Sequence, residues 1–278
     1  MLAPLLRRLL ISLALVALAC AASGTQQPSG RLVAVIGITR EIAPVEARLQ
    51  SPAVERIRGI AFTSGTIDGA RIVTTRVGVG KVNAALATTL LLDHFSPAAV
   101  IFSGTAGAVD PDLNPGDVVV GTGVGHHDFG TATAGAFVRG PTRDPASGQL
   151  DPVFFPAGPE LLAAARRAAA TAKPSRLPDA EPGPAARISE GVIVTGDSFI
   201  SSPVVRDALR GELKASAVEM EGAAVAQVCA RFGVPLIVIR SVTDRAEAQA
   251  MPSYQRFVDL ASRNAADLAV ATVREWQK

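Results

Sequence analysis

The chain predicts an α/β fold: a single domain in which a mixed central β-sheet carries helices on both faces. Three observations lead there. Residues 32–38 form an unbroken apolar and largely β-branched run, which marks a strand buried on both sides, as in a parallel sheet. Strand-like runs alternate along the chain with segments of helical periodicity, the order typical of layered α/β folds. The composition is 48% hydrophobic but only 4% aromatic, so aliphatic side chains and alanine must fill the core, as they do where helices lie on a sheet. No internal repeat and no shift of composition divides the 278 residues into two units.

Taken in order, the first residues stand apart from this domain. Arg7 and Arg8 precede an apolar run over residues 9–19, and small residues follow, so residues 1–19 read as a secretory signal peptide. The run is shorter than the roughly 20 residues of a transmembrane helix. Ala17-Leu18-Ala19 before Cys20 allows cleavage after an A-x-A pattern or lipidation of Cys20 in the manner of a bacterial lipoprotein. Either fate makes the protein exported, periplasmic or lipid-anchored to the cell envelope. Residues 20–30 form a linker, and residues 31–278 the folded domain.

Within that domain the first strand spans residues 31–39. Residues 60–67 and 70–77 flank Asp68-Gly69, a two-residue hairpin signal. Val82, Leu86 and Leu90 recur at helical spacing in residues 81–95, and residues 98–102 and 117–120 are short strands. Residues 135–187 are rich in Gly, Pro, Ser and Asp around one alanine-rich helix near residues 159–172, the composition of surface insertions. Strands resume at residues 191–194 and 236–242 with a helix over 222–232 between them. A last helix, residues 254–276, buries a stripe that includes Phe257, Leu260, Ala261 and Leu268.

Charge and composition exclude several functions. Without Arg7 and Arg8 the chain has 25 basic residues against 25 acidic ones, so no field for a polyanion is expected, and the scarcity of aromatics argues against a nucleic-acid stacking surface. Cys229 lies in an alanine-rich apolar stretch and reads as a small core residue without a disulfide partner.

Three segments with unusual side chains follow predicted strands, where α/β folds place their ligands. Phe102-Ser103-Gly104-Thr105-Ala106-Gly107 opens from a strand into small residues that leave backbone N–H groups and one hydroxyl free, although a closely packed turn explains it equally well. Ala217-Val218-Glu219-Met220-Glu221-Gly222 sets two carboxylates around a methionine at a strand–helix boundary. Acids so near apolar sequence need partners, and vicinal ribose hydroxyls would supply them. Charge balance at the helix N-terminus is the alternative, preferred for Glu219 but not for both acids. Val238-Ile239-Arg240-Ser241-Val242-Thr243-Asp244 delivers Arg240, Thr243 and Asp244 to a strand end, where Asp244 is either a helix cap or a general acid of raised pKa. His126-His127-Asp128 suggests a metal site, but adjacent strand residues point to opposite faces, and no metal or cofactor is expected.

These segments, together with Gly78-Val79-Gly80-Lys81-Val82-Asn83-Ala84-Ala85 and Val194-Thr195-Gly196-Asp197-Ser198-Phe199-Ile200, resemble the nucleoside phosphorylase superfamily and, most closely, the methylthioadenosine/S-adenosylhomocysteine nucleosidases. The resemblance runs from about residue 32 to the C-terminus. It implies hydrolysis of the N-glycosidic bond of an adenine nucleoside, with Asp244 handling the proton at purine N7. By the same resemblance Phe199 stacks on the base and the backbone around Ile200 reads its edge. Met220 and Glu221 hold the ribose, Arg240 and Thr105 seat the attacking water, Val79 lines the sugar pocket, and Tyr254 lies beside the 5′ substituent. Thr105, Ala106, Gly107, Glu219 and Thr243 complete the expected pocket, and the partners implied are a nucleoside, water and a second copy of the chain. From the residues alone, core packing is the safer reading of Phe199 and Tyr254.

The sequence departs from the family at the water-activating carboxylate. Aligned without a gap, that position falls on Ile42; with one residue deleted it falls on Glu41, the expected base because Ile42 then matches the aliphatic that follows, while Glu46 lies about a turn and a half further along the helix. Arg40 keeps phosphorolysis open, because phosphorylases of the superfamily bind phosphate with an arginine in this loop. Phe102 argues against it by standing where related phosphorylases carry a second such arginine. An exported nucleoside-binding protein with little activity is the remaining alternative.

Overall fold

A computed structural model describes residues 30–175 and 185–278. The segment expected to be a signal peptide, Cys20 and nearly all of the expected linker lie outside the described residues. The core begins with β1 (Val33–Gly37), whose five residues are all buried. Its side chains alternate between two layers. Ala34 and Ile36 pack with Ala84, Ala87 and Leu91 of α2 (Lys81–Phe95) and with Val225 and Cys229 of α5 (Gly222–Phe232). Val33 and Val35 pack with Ile42 and Val45 of α1 (Thr39–Glu46), Leu161 of α3 (Pro159–Ala169) and Leu268 of α6 (Ala250–Trp276). The unbroken apolar run is therefore a strand covered on both faces, the reason it shows no polar alternation.

Beside β1 lie β4 (Ala70–Arg76) and β5 (Ala99–Ala108), both parallel to it. The predicted hairpin is present: β3 (Ile60–Ile67) turns through Asp68 and Gly69, both at positive φ, into β4. β12 (Leu236–Asp244) pairs in parallel with β5 and antiparallel with β6 (Val118–His126), and β10 (Ile188–Thr195) runs parallel to β6. β11 (Ala215–Glu219) pairs with β10 on one side and, through Ala217 and Val218, with the far end of β5 on the other. Strands β5, β12, β6, β10 and β11 thus close on one another while β1, β4 and β3 extend as an open sheet. With six helices among the described residues, this is the mixed α/β sheet expected, coiled at one end.

Several elements differ from the sequence reading. β2 (Gln50–Ile57) was not foreseen: it is the sheet edge, exposed along almost its whole length, so neither face imposes apolar alternation. A further helix, α4 (Pro203–Leu213), follows Ser202, whose hydroxyl accepts from the Val205 amide. The Ser-Pro pair was the start signal for it. α6 begins at Ala250, a turn before Tyr254. Of its predicted stripe Ala261 and Leu268 are buried, whereas Phe257 and Leu260 are half-buried. Three short strands complete the chain, β7 (Gly130–Ala132), β8 (Phe137–Arg139) and β9 (Phe155–Pro156), within the region read as insertions. Cys229 is buried and unpaired.

Candidate active site

The carboxyl ends of β1, β4, β5, β10, β11 and β12 and the start of α6 surround one cavity of about 270 Å³. Glu41, Val79, Thr105, Ala106, Gly107, Phe199, Ile200, Glu219, Met220, Glu221, Thr243, Asp244 and Tyr254 all line it. Of the catalytic and pocket residues expected from the resemblance, Arg240 alone is not in the wall; it lies fully buried behind it. Ile38, Ser198, Val218 and Met251 line the cavity as well and were missed. Ile38 follows the end of β1, and Ser198 precedes Phe199, so strand ends and motif neighbours were the available signals. Met251 carried none.

Small residues do a different job in β5 from the one expected. Ser103 to Gly107 do not form a turn: they continue the strand and pair with β12 from Ile239 to Asp244. Their size makes room for side chains. A Cβ on Gly104 would fall closer than 3.0 Å to both Arg240 Nη1 and Glu41 Oε2, and one on Gly107 would sit 2.8 Å from Asp244 Oδ1. The β12 register shifts between Val242 and Asp244, and such a bulge re-aims a strand end toward a site.

Asp244 is buried, with Oδ1 accepting from the Ala246 amide at 2.9 Å and Oδ2 from the Thr243 hydroxyl at 2.8 Å. Burial pushes its pKa up, and Glu247 adds to this against the pull of those two bonds. A carboxyl so placed holds its proton more firmly than an exposed aspartate, as a proton donor must. Glu41, on the first turn of α1, is also buried and accepts from the Thr105 hydroxyl at 2.5 Å. Burial raises its pKa while Arg240 and Thr105 oppose the rise, leaving a carboxylate more basic than an exposed one.

The two acids of β11–α5 divide their work. Glu219 accepts from the amides of Glu221 (3.1 Å) and Gly222 (2.8 Å), from Arg240 Nη2 at 2.5 Å and from the Thr195 hydroxyl. Its oxygens are engaged in capping α5 and holding Arg240, so in the cavity wall it supports the groups around it. Glu221 departs from the strand as the N-cap of α5, and its Oε1 accepts from the Gly80 amide at 2.9 Å. Burial, then Glu219, push its pKa to about 8, so at neutral pH it is a neutral carboxyl able both to accept and to donate.

Arg240 completes this buried charge cluster. Its guanidinium carbon lies 3.9 Å from the centre of the Phe102 ring. Nε and Nη1 are buried without a partner among the described residues. Arg40, by contrast, is exposed and bonds to Asp259 at 2.7 Å, outside the cavity wall.

At the mouth, Phe199 and Tyr254 meet edge to face with centroids 6.0 Å apart. Phe199 is exposed and Tyr254 half-buried, so the core-packing reading of this pair is corrected. The loop carrying Phe199 is tied down: Lys81 Nζ bonds to Asp128 at 2.6 Å, the Lys81 amide to Asp197 at 2.8 Å and the Asp197 amide to Asp128 at 2.9 Å. Asp128 is thus an anchor for two cavity loops, and His126 faces Gln227 at 3.3 Å.

A β-sheet switch-point cavity with a buried acid pair defines the class, and the profile of the Phosphorylase superfamily matches residues 31–274. The 5′-methylthioadenosine/S-adenosylhomocysteine nucleosidase of Anoxybacillus flavithermus is 36% identical over 250 residues, covering 88% of this chain and 99% of that protein. The crystal structure of the same nucleosidase from Neisseria meningitidis, in complex with methylthio-immucillin-A, superposes with a TM-score of 0.74 at 33% identity, over 88% of this chain and 99% of the other. Futalosine hydrolase of Helicobacter pylori superposes with a TM-score of 0.72 at 29% identity, over 88% and 98%. The chain belongs to the 5′-methylthioadenosine/S-adenosylhomocysteine nucleosidase family.

Proposed function

We propose that the protein hydrolyses the N-glycosidic bond of adenine nucleosides such as 5′-methylthioadenosine or S-adenosylhomocysteine, releasing adenine. The observation that carries this is the pairing, in one cavity, of a buried proton donor, Asp244, with a separate buried base, Glu41. A purine anion is a poor leaving group, so Asp244 gives its proton to N7 as the bond from C1′ to N9 breaks and the ribose becomes oxocarbenium-like. Water then bonds to C1′ and loses a proton to Glu41, the two-carboxylate logic of inverting glycosidases. Glu221 and Met220 hold the ribose, Phe199 packs on the base, and the backbone at Ile200 reads its edge.

Water rather than phosphate is the nucleophile. Arg40 is turned to Asp259, and Phe102 offers no donor where phosphate binding needs one. Incubation of the mature protein with methylthioadenosine, with and without phosphate, tests this. Free adenine at equal rates in both supports hydrolysis; a sugar phosphate refutes it, and tight binding without turnover identifies a nucleoside-binding protein.

The active form is a homodimer. α2 carries apolar residues on its outer side as well as its inner one, with Val82 79% and Leu86 52% exposed next to Val79 at the cavity mouth. A helix apolar all round calls for cover on both sides. Sedimentation of the wild type as a dimer and of Val82→Glu/Leu86→Glu as a monomer checks it. The mature protein is exported through residues 1–19, either free in the periplasm or anchored at Cys20; mass spectrometry of the mature N-terminus separates cleavage from lipidation.

A further inference from the structure

Arg240 is the largest fully buried side chain among the described residues, and it sits among three carboxylates, Glu41, Glu219 and Glu221. A guanidinium so surrounded has more than one place to go. Held only through Nη2 on Glu219, it is free to pivot toward Glu41, whose charge also attracts it. Phe102 removes that freedom. Its ring, fully buried on β5 opposite Val238, lies 3.9 Å from the guanidinium carbon, well inside the roughly 6 Å reach of a cation–π contact. The face of the ring fixes the plane of the guanidinium and Glu219 fixes one end. What remains are Nε and Nη1, buried without partners. Nη1 and Glu41 Oε2 both come within 3.0 Å of the point that a Gly104 Cβ would occupy, so the guanidinium and the base approach each other beside Gly104 without a bond between them.

We propose that Phe102 is a positioning residue for hydrolysis: its ring holds Arg240 on Glu219, so that the guanidinium does not close on Glu41 and the Glu41 carboxylate stays open to the attacking water. The assignment rests on the hydrolytic reading above. It makes an aromatic ring, in a position that otherwise reads only as the lack of a phosphate-binding arginine, part of the water site through its π-face. A desolvated cation over a ring is where such a contact is strongest.

The test uses full-length mature protein with fluorinated phenylalanines placed at position 102. Successive fluorines drain the negative face of the ring while its shape is nearly kept. For methylthioadenosine, kcat is expected to fall stepwise, by about tenfold at the pentafluoro ring, with KM changed less than about twofold. A ring that only fills space gives no such gradient. Phe102→Leu, measured alone and in the Arg240→Gln background, provides the second arm. Alone it lowers kcat; with Arg240 already gone it adds nothing, because its effect passes through that side chain. A flat fluorine series in an active wild type, or kcat losses that multiply in the double variant, overturns the assignment of Phe102 alone. A wild type that releases no adenine overturns the hydrolytic reading, and the assignment with it.

Discussion

Gly104→Ala is the sharpest perturbation of this site, since it adds one methyl group and no charge. Gly104 lies in β5, paired with Arg240 of β12, in a backbone conformation open to alanine, so the strand itself accepts the change. The new Cβ would lie closer than 3.0 Å to Arg240 Nη1 and to Glu41 Oε2, and 3.1 Å from Arg240 Cζ. Neither side chain yields freely: Glu41 is tied to the Thr105 hydroxyl, and Arg240 to Glu219 and the Phe102 ring. One or both must shift by several tenths of an ångström to about 1 Å, a misplacement that costs about a hundredfold in rate, or roughly 2.7 kcal/mol. Overpacking costs about 1–3 kcal/mol of stability, partly offset by the about 0.5–1 kcal/mol that alanine recovers in backbone entropy, so the fold survives. Adenine release, followed by chromatography, should show kcat down about a hundredfold with affinity for a substrate analogue little changed. A Gly104→Ala enzyme with wild-type kcat would refute the dependence of turnover on the placement of Glu41 against Arg240.

Other outcomes follow from the same geometry. Asp244→Asn should lose about 10²–10⁴-fold in kcat while binding nucleoside normally, which isothermal titration and single-turnover rates distinguish. Glu41→Gln should likewise lose turnover with affinity retained; full activity would return the base to Glu46 or another acid. Glu221, ordinarily near 4.5, is raised to about 8 in the fold, so the native state keeps a proton that the unfolded chain has released. Stability from this group is therefore lost as pH rises from about 4.5 to about 8. Glu221→Gln should remove that slope and raise the melting temperature relative to wild type at pH 8 more than at pH 5, while weakening ribose binding. Thermal melts at the two pH values check the sign.

Much of this protein was legible in its residues because burial writes itself into pattern. The apolar run of β1 announced a strand with helices on both sides, Asp68-Gly69 announced its hairpin, and the order of the motifs brought Glu41, Thr105, Phe199, Glu221 and Asp244 to one cavity. β2 left no pattern because water touches both its faces, and α4 was overlooked although Ser202-Pro203 marked its start.

Chemical type and strand position were thus set by the chain itself, and roles were set by contacts. Glu219 and Glu221 stand two residues apart with the same side chain. Only the amides of α5, the Thr195 hydroxyl and Arg240 make the first a fully engaged helix cap, and only burial beside it makes the second a neutral carboxyl. Arg40 and Arg240 are the same residue type near the same site. One is neutralised by Asp259 in solvent, while the other is held by Glu219 and a phenyl ring in the interior. Desolvation and the direction of hydrogen bonds depend on residues far apart in the chain, so the fold alone decided which acid is engaged by its neighbours and which is left open to the cavity.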